Sequence, residues 1–350
     1  MSSRELRKDF SSDNIARIDP AILAQISAAN EGTVHSYGSD LHTETLGEQM
    51  NGLFERTVTV LPVATGTAAN AIALSTLAKP YQGIYCPTTG HVNTDECGAP
   101  EFYSGSKLLG LPTPDGKLRP GQVTEAVAFA HSMGVHHVDP AALTISQATE
   151  WGTVYTPAEV RALADEAHQL GLKLHMDGAR FANAVAHLGC TAAEITWKAG
   201  VDILSFGATK NGALAAEAIV AFDTSLARDL EFRRKRGGHL WSKMRFLSAQ
   251  LSAYITDQRW LNNAHAANRV ASQLADGLAS LPGVTVLMAV QANELFVAMP
   301  PATAARLRSA GYEFYDWPAP TGITEPVVRL VAAYDMLPED ATGLLQAARG

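Results

Sequence analysis

Apolar positions through the middle of the chain fall in short β-rich runs separated by helical ones. "TVTVLPVA" (57–64) reads as a strand, and "AANAIALSTLA" (68–78) as a helix. "GIYCP" (83–87) and "KLLGLP" (107–112) are short strand patterns, "QVTEAVAFAHSMG" (122–134) is helical, and "AALTISQAT" (141–149) is strand-like. The best-marked helix is "TPAEVRALADEAHQLG" (156–171). Thr156 can cap it, Pro157 suits its first position, Glu159 completes a capping box, and Gly171 stops it. "LKLHMD" (172–177), "VDILSF" (201–206) and "EAIVAF" (217–222) are further strands, with "TAAEITWKAG" (191–200) helical between the first two. Strands alternating with helices predict an α/β domain with a mostly parallel sheet covered by helices on both faces.

The pattern changes near residue 240. One long helix is expected over about 243–280. It leads into the apolar runs "GVTVLMAV", "ELFVAMP", "YEFYDW" and "VVRLVAAY", a helix at 302–310 and a last helix after Pro338. That is a smaller α+β unit. Residues 1 to about 50 are polar and glycine-punctuated, and "HSYGSD" reads as loop. The expected organisation is an N-terminal segment (1–45), a large domain (46–245) and a small C-terminal domain (246–350) opened by the linking helix.

Composition narrows the classes. The chain has 350 residues, 47% hydrophobic and 18% charged, enough to bury a large core without disulfides. A net charge of -8 and a pI near 5.8 argue against nucleic acid or an anionic membrane as a partner. Cys86, Cys97 and Cys190 are far apart and form no Cys-x-x-Cys, so neither a disulfide framework nor a zinc knuckle is expected. "MSSRELRKDF" has no apolar signal core, and no run approaches the ~18 apolar residues of a membrane span. The cytoplasm is the expected compartment.

Candidate chemistry lies where strands end, because open α/β sheets bind ligands beyond their carboxyl edges. After "TVTVLPVA" comes Thr65-Gly66-Thr67-Ala68-Ala69-Asn70, small residues at a helix start where free N–H groups suit an anion. Alone it is a capped helix start. After "LKLHMD" comes Asp177-Gly178-Ala179-Arg180, which alone is an Asp cap with a surface arginine. No His/Asp cluster stands near it at metal-ligand spacing, so no metal is expected. After "VDILSF" comes Lys210, a cation with no packing reason to stand there and suited to nucleophilic chemistry. Together the three supply a phosphate cradle, a carboxylate for a pyridinium nitrogen and an amine for an aldehyde. Those are the requirements of pyridoxal phosphate.

The chain resembles fold-type I pyridoxal phosphate enzymes and, among them, the low-specificity L-threonine aldolase family. The resemblance rests on "FSSDN" (10–14), "ATGTAAN" (64–70), "GHVNTDECGAPE" (90–101), "ISQATEWGTVYTPAEV" (145–160), "HMDGARFANA" (175–184), "SFGATKNG" (205–212) and "VVRLV" (327–331). It implies Lys210 as the Schiff-base lysine, Asp177 as the ring-nitrogen partner and His91 stacked on the ring. Gly66 and Thr67 would bind phosphate, with Asn70 beside them. Arg180 would lie near the ring oxygen and the substrate carboxylate, and Ser12 and Arg329 would hold that carboxylate. Arg329 has its own argument, since a charge within "VVRLVAA" needs an anion if its strand is buried.

Two stretches depart from the family pattern. A glycine-rich segment whose arginine reaches a neighbouring subunit's phosphate is replaced by "RRKRGGHLWSKMRFLSAQ" (233–250), where Arg245 matches best and Lys235 stands upstream. A solvated helix face is the other reading of that run. The histidine expected near the substrate hydroxyl falls in "VHHVDP", as His137 or else His136, and Tyr37 fits a substrate-side tyrosine. The implied reaction is retro-aldol cleavage of a β-hydroxy-α-amino acid to glycine and an aldehyde, with His91, His137 or a water as base. A homotetramer built from dimers with shared sites is implied too. The alternatives are β-elimination or transamination on the same scaffold, or a non-catalytic protein that keeps it.

Overall fold

The computed structural model describes residues 5–350. Its large sheet has seven strands: β1 (Thr59–Val63), β2 (Gln82–Pro87), β3 (Lys107–Leu111), β4 (Asp139–Ser146), β5 (Lys173–Gly178), β6 (Ile203–Gly207) and β7 (Glu217–Ala221). Their spatial order is β1-β7-β6-β5-β4-β2-β3. The run from β6 to β3 is parallel, whereas β7 is antiparallel to both β6 and β1. The expected mostly parallel sheet is there, with one strand, β7, reversed. The β6–β7 connection contains no crossover helix, and a short connection can only return the chain antiparallel.

Strand alternation sorts the core onto two faces. Leu143, Ile145, Leu174, Met176, Leu204 and Phe206 pack with helices Leu41–Leu53, Pro157–Gln169, Phe181–Leu188 and Arg245–Ile255. On the other face Ile203, Ile219 and Ala221 meet Ala69, Ile72 and Ala73 of helix Gly66–Leu77. Toward the carboxyl edge that second face turns polar. His175 bridges Thr144 Oγ1 at 2.8 Å and Ser205 Oγ at 3.0 Å, and Asp177 is the next residue on its side of β5. Burial drives the His175 pKa down to about 4, so this bridge is neutral.

The small sheet, β8 (Thr285–Val286), β9 (Glu294–Ala298), β10 (Tyr315–Trp317) and β11 (Val327–Val331), is antiparallel in the order β10-β11-β9-β8. One face packs Leu295, Val297, Val328 and Leu330 against helices Arg259–Ala279, Pro301–Ser309 and Pro338–Arg349. The other carries Phe296 and Val327, with Trp151 and Trp317 against them. Phe10 lies in the first core, and backbone bonds from Phe10 to Glu313 and from Val331 to Phe10 stitch the N-terminal segment into the small unit.

"HSYGSD" is loop as expected, between helices Pro20–Ala28 and Leu41–Leu53, which are capped by Asp19 and Asp40. The single helix over 243–280 is two, Arg245–Ile255 and Arg259–Ala279, broken at Asp257 and Gln258, both at φ +54°. The large-domain core reaches Ala264 and that of the small unit starts at Val270, within the second helix.

The turn after β6 is gripped from several sides. Phe206 packs edge-on to Tyr254, with ring centres 5.9 Å apart, and Phe181 stacks on Trp260. Asn211 donates to Tyr254 Oη and to the Trp260 carbonyl, both at 2.8 Å. Where β6 leaves β5 there is no room for a side chain. A Cβ on Gly207 would stand 2.7 Å from the carbonyl oxygens of Gly178 and Ala179. Those atoms are backbone and cannot rotate away. Gly207→Ala should therefore cost ~1–3 kcal/mol and lower the thermal unfolding midpoint. Gly52→Ala, in a helix with nothing within 4 Å of its Cβ, should leave the midpoint level or raised. An unchanged midpoint for Gly207→Ala, read by circular dichroism, would contradict this close approach.

Candidate active site

The carboxyl edges of β4, β5 and β6 coincide, since Ser146 pairs with Asp177 and Asp177 with Ser205. β1 runs the same way as β6 through the reversed β7, which brings Thr65-Gly66-Thr67 to that edge as well. A two-part cleft opens there. Its inner part, about 350 Å³, is lined by Gly66, Thr67, Asn70, His91, Asp177 and Lys210 among others. Its outer part, about 720 Å³, adds Ser12, Trp317 and Arg329. Asn14, His91, Glu150, Arg180 and Lys210 belong to both walls.

Each inner residue is held by an identifiable contact. Lys210 sits in a single 3-10 turn, Thr209–Asn211, after β6. Glu217, at the start of β7, accepts the Ala208 N–H at 2.9 Å and the Thr209 N–H at 3.4 Å, and so pins the turn. Burial pushes Glu217 up to about 7, against those bonds and the Lys210 charge. Asp177 is buried, accepting from Asn70 Nδ2 at 2.9 Å and from its own turn at Ala179 N–H, 3.0 Å. The same Asn70 amide reaches Glu96 Oε1 at 2.8 Å, and His91 Nδ1 meets that oxygen at 2.8 Å. The Glu96 bond raises the His91 pKa, with burial opposing it and the Asp177 charge assisting. One potential ligand atom from each of His91, Glu96 and Asp177 lies within 4.8 Å of the others. Asn70 is wedged between the two acids, and their grouping walls the inner cleft, as a ring site requires.

Helix Gly66–Leu77 starts at the cleft, and Thr65 caps it by accepting the Ala68 N–H at 3.1 Å. The N–H groups of Gly66 and Thr67 precede the first intrahelical bond and are available to an anion. A Cβ built on Gly66 would meet nothing within 4 Å, which leaves the helix mouth open. His239 Nδ1 accepts the Ala64 N–H at 3.5 Å beside it. Among the described residues, Asn70 Oδ1 and Glu96 Oε2 are buried without a hydrogen-bond partner. An anion cradle, a buried carboxylate, an amine and unsatisfied oxygens between them fit a phosphorylated pyridine aldehyde.

On the outer side the charges are paired differently from expectation. Arg180 forks onto Asp13, Nε to Oδ2 at 2.8 Å and Nη2 to Oδ1 at 3.1 Å, with Nη1 3.3 Å from Glu294. Burial alone would raise Asp13, but the charges of Arg180 and Lys210 and the Asn293 bond outweigh it and the net shift is down. Arg180 is thus committed to two acids while it lines the cleft. Arg329 is freer: Nη2 reaches the Ser11 carbonyl at 3.2 Å, its guanidinium lies over Trp317 at 4.8 Å, and its buried Nε has no partner among the described residues. Ser12 lines the outer wall, and its hydroxyl accepts the Asn14 N–H at 3.1 Å.

Five candidate residues lie elsewhere in this chain. His137 precedes β4, at the amino edge of the sheet, about 3.3 Å per residue away from the carboxyl edge. It lines a separate pocket with Tyr81, Val135 and Pro140, and His136 sits exposed in the turn before it. The physical reason is strand direction, because "VHHVDP" enters β4 whereas chemistry gathers where β4 ends. Tyr37, Lys235 and Arg245 are outside both walls of the cleft. Lys235 Nζ stands 4.8 Å over the Tyr37 ring, and Arg245 reaches the Gly32 carbonyl. Conversely, Asp13, Glu96, Glu150, Glu217 and Glu294 are site residues to which the sequence reading assigned no role. Glu217 and Glu294 had a visible signal, an acid opening an apolar strand, as odd as the lysine that ends one.

Known proteins match along most of this length. The Beta-eliminating lyase family model matches residues 9–300. A low-specificity L-threonine aldolase of Pseudomonas sp. (strain NCIMB 10558) is 45% identical over 309 residues, 88% of this chain and 89% of that protein. One from Pseudomonas aeruginosa is 44% identical over 329 residues, 94% of this chain and 93% of that one. The solved threonine aldolase of Leishmania major superposes with a TM-score of 0.91 at 27% identity, over 98% of this chain and 99% of that one. The Oryza sativa TDC with PLP and tryptamine has a TM-score of 0.75 at 13% identity, over 98% and 82%, a likeness of fold alone. With the matched span, the two identities and the cleft in agreement, the chain belongs to the beta-eliminating lyase family and, within it, to the low-specificity L-threonine aldolases.

Proposed function

We propose that this chain is a pyridoxal phosphate-dependent aldolase. It cleaves L-threonine, L-allo-threonine and related β-hydroxy-α-amino acids, phenylserine included, to glycine and an aldehyde. One observation carries the reading: the inner part, with Lys210, Asp177 and the Gly66-Thr67 cradle, opens onto an outer part whose wall holds the guanidinium of Arg329. A cofactor site beside a carboxylate grip is what an amino-acid enzyme needs.

Lys210 Nζ would hold the cofactor aldehyde until a substrate amine replaces it, and Asp177 would bind the protonated ring nitrogen. Gly66 and Thr67 would take the phosphate, and His91 would cover the ring. When bound, pyridoxal phosphate supplies a sink for the electron pair released at the substrate α-carbon. Arg329 and Ser12 would hold the substrate carboxylate, with Arg180 kept beside them by Asp13 and Glu294. With Nδ1 given to Glu96, His91 keeps Nε2 as the atom that can give or take a proton.

The same reading makes the enzyme a cytoplasmic homo-oligomer, a dimer of dimers with shared sites. Tyr37, Lys235 and Arg245 lie together outside their own cleft, where a neighbour's phosphate could use them. Phe102 and Phe232, 84% and 65% exposed, offer apolar surface for such a contact. All three cysteines are free, which suits a reducing compartment.

Loaded enzyme should release glycine and acetaldehyde from L-threonine in equal amounts. Ammonia or a keto acid as product would instead indicate elimination or transamination. Lys210→Ala should lose both turnover and the yellow colour of the loaded protein, and retained cleavage there would sink the assignment. Arg329→Leu removes a charge-assisted grip of ~1.5–3 kcal/mol, so kcat/KM for threonine should fall roughly 10- to 150-fold, mostly through KM, with cofactor loading intact. Mixed oligomers of inactive Lys210→Ala and impaired Arg245→Ala subunits test the shared site. Partial recovery of activity is expected after dissociation and reassembly, and none would refute the crossing.

A further inference from the structure

Glu150 has no part in the chemistry so far, yet it stands at the junction of the two cleft parts. It lies four residues past Ser146, the end of β4, in a loop anchored by Gln147. That side chain donates to the Tyr155 carbonyl at 2.8 Å and accepts the Tyr155 N–H at 3.0 Å. Glu150 Oε1 accepts both the Ser146 hydroxyl at 2.5 Å and the His91 N–H at 2.8 Å. Oε2 is buried and has no hydrogen-bond partner among the described residues. One oxygen therefore fixes the carboxyl group while the other is left over, in a wall that faces both cofactor and substrate space. The residues expected to act as base are poorly placed for it. His137 is at the wrong edge of the sheet. The Glu96 bond keeps His91 protonated to higher pH, which leaves less of it in the unprotonated form that a base needs.

We infer that Glu150 is the general base of carbon–carbon cleavage, its free Oε2 taking the proton of the substrate β-hydroxyl. The inference rests on the aldolase reading. The O–H bond breaks and its proton goes to Oε2, while its electron pair forms the second C–O bond of the departing aldehyde. The Cα–Cβ bond breaks, and its pair stays with the α-carbon. The α-carbon then takes up one proton from water and Glu150 returns its own to water, so no net proton is exchanged.

The surroundings tune the group to this task. Burial raises Glu150 to about 7 and the Asp177 charge adds to it, against the bonds from Ser146 and His91 N–H. The titratable groups that face it are Asp177 from β5, Arg180 from the turn after β5, Cys86 from β2, Tyr155 from the following loop and the His91 segment. Lys210 shares the same cleft walls. A base whose pKa lies near the working pH combines ionised population with proton affinity.

Glu150→Gln tests the proposal, because a glutamine Oε1 can still accept both bonds and keep the loop. Three measurements on the holoenzyme apply: threonine cleavage against pH, exchange of the glycine α-proton with deuterated water, and the infrared carboxyl band across pH 7. Glycine exchange involves no β-hydroxyl. In the variant, cleavage should fall ~10²- to 10⁴-fold and its acidic limb near pH 7 should vanish, with glycine exchange and cofactor loading unchanged. In the wild type the protonated-carboxyl absorption should grow as pH falls through about 7, Glu217 contributing to it, and the variant should lose only the share that Glu150 supplies. Wild-type cleavage by Glu150→Gln, an equal loss of cleavage and exchange, or an identical carboxyl absorption in wild type and variant would each overturn the assignment. Failure of the aldolase reading looks different. The wild type would then exchange the glycine α-proton yet release no glycine from threonine, and the proposal would fall with it.

Discussion

The site depends on the parallel register of β4, β5 and β6. Because Ser146, Asp177 and Ser205 stand at one level, the segments that follow them leave the sheet side by side. Lys210 and the Asp177 carboxylate then face one cleft without help from a flexible loop. Parallel strands are slow to form and need buried faces on both sides. The apolar faces met by helices 41–53, 157–169 and 66–77 supply that burial. Gly207 shows how tightly the register is set, since the strand ends approach closely enough to exclude even a methyl group.

Upon this frame the protein buries an unusual number of acids, and each must be compensated. Asp13 is matched by the fork of Arg180 and by Asn293 Nδ2 at 3.0 Å. Glu217 is matched by two backbone N–H groups, and Asp177 by Asn70 and the Ala179 N–H. These acids position their neighbours. Of the buried oxygens left unpaired among the described residues, those on Asn70, Glu96 and Glu150 gather at the inner cleft, whereas others, such as those on Glu101 and Thr113, lie away from it. A native fold rarely leaves a buried acceptor unpaired, so a cluster of them inside the cleft is what a ligand would complete. All three belong to residues lining the inner cleft, and Glu150 alone also borders the substrate side.

Much of this was legible along the chain because strand ends carry their own signature. Lys210, Asp177 and Gly66-Thr67 each follow an apolar run, and a polar residue there has no packing role to confuse the reading. Other features had no local signal. Arg180 and Asp13 are 167 positions apart, so their pairing exists only in three dimensions. The break between helices 245–255 and 259–279 contains neither glycine nor proline, and its left-handed Asp257 and Gln258 interrupt a continuous helical pattern. Helix 41–53 buries little, chiefly Leu46 and Met50, so its stripe is too thin to stand out, although Asp40 marks its start. His137 fails for a directional reason. Proximity in sequence to β4 does not say which end of β4 a residue occupies.

The two halves of the cleft are built by different parts of the chain, and that division has a chemical sense. The inner half is framed by the large sheet and held by short backbone and amide bonds. The outer half borrows Arg329, Tyr315 and Trp317 from the small sheet, together with Ser12 from the N-terminal segment. Asp13 joins them, since it bonds Arg180 of the large domain and Asn293 beside β9. The segment that carries Ser12 is thereby tied to the residue that follows Asp177 by one turn. Any change that loosens Asp13 should move Ser12 and Arg180 together, so the two halves of the cleft are mechanically linked. The aromatic wall of Trp151, Trp317 and Tyr315 stands in the outer half, with the Arg329 guanidinium over Trp317. On the proposed function a β-substituent would meet that wall, away from Lys210 and Asp177, so one fixed chemical centre would accept side chains of different size.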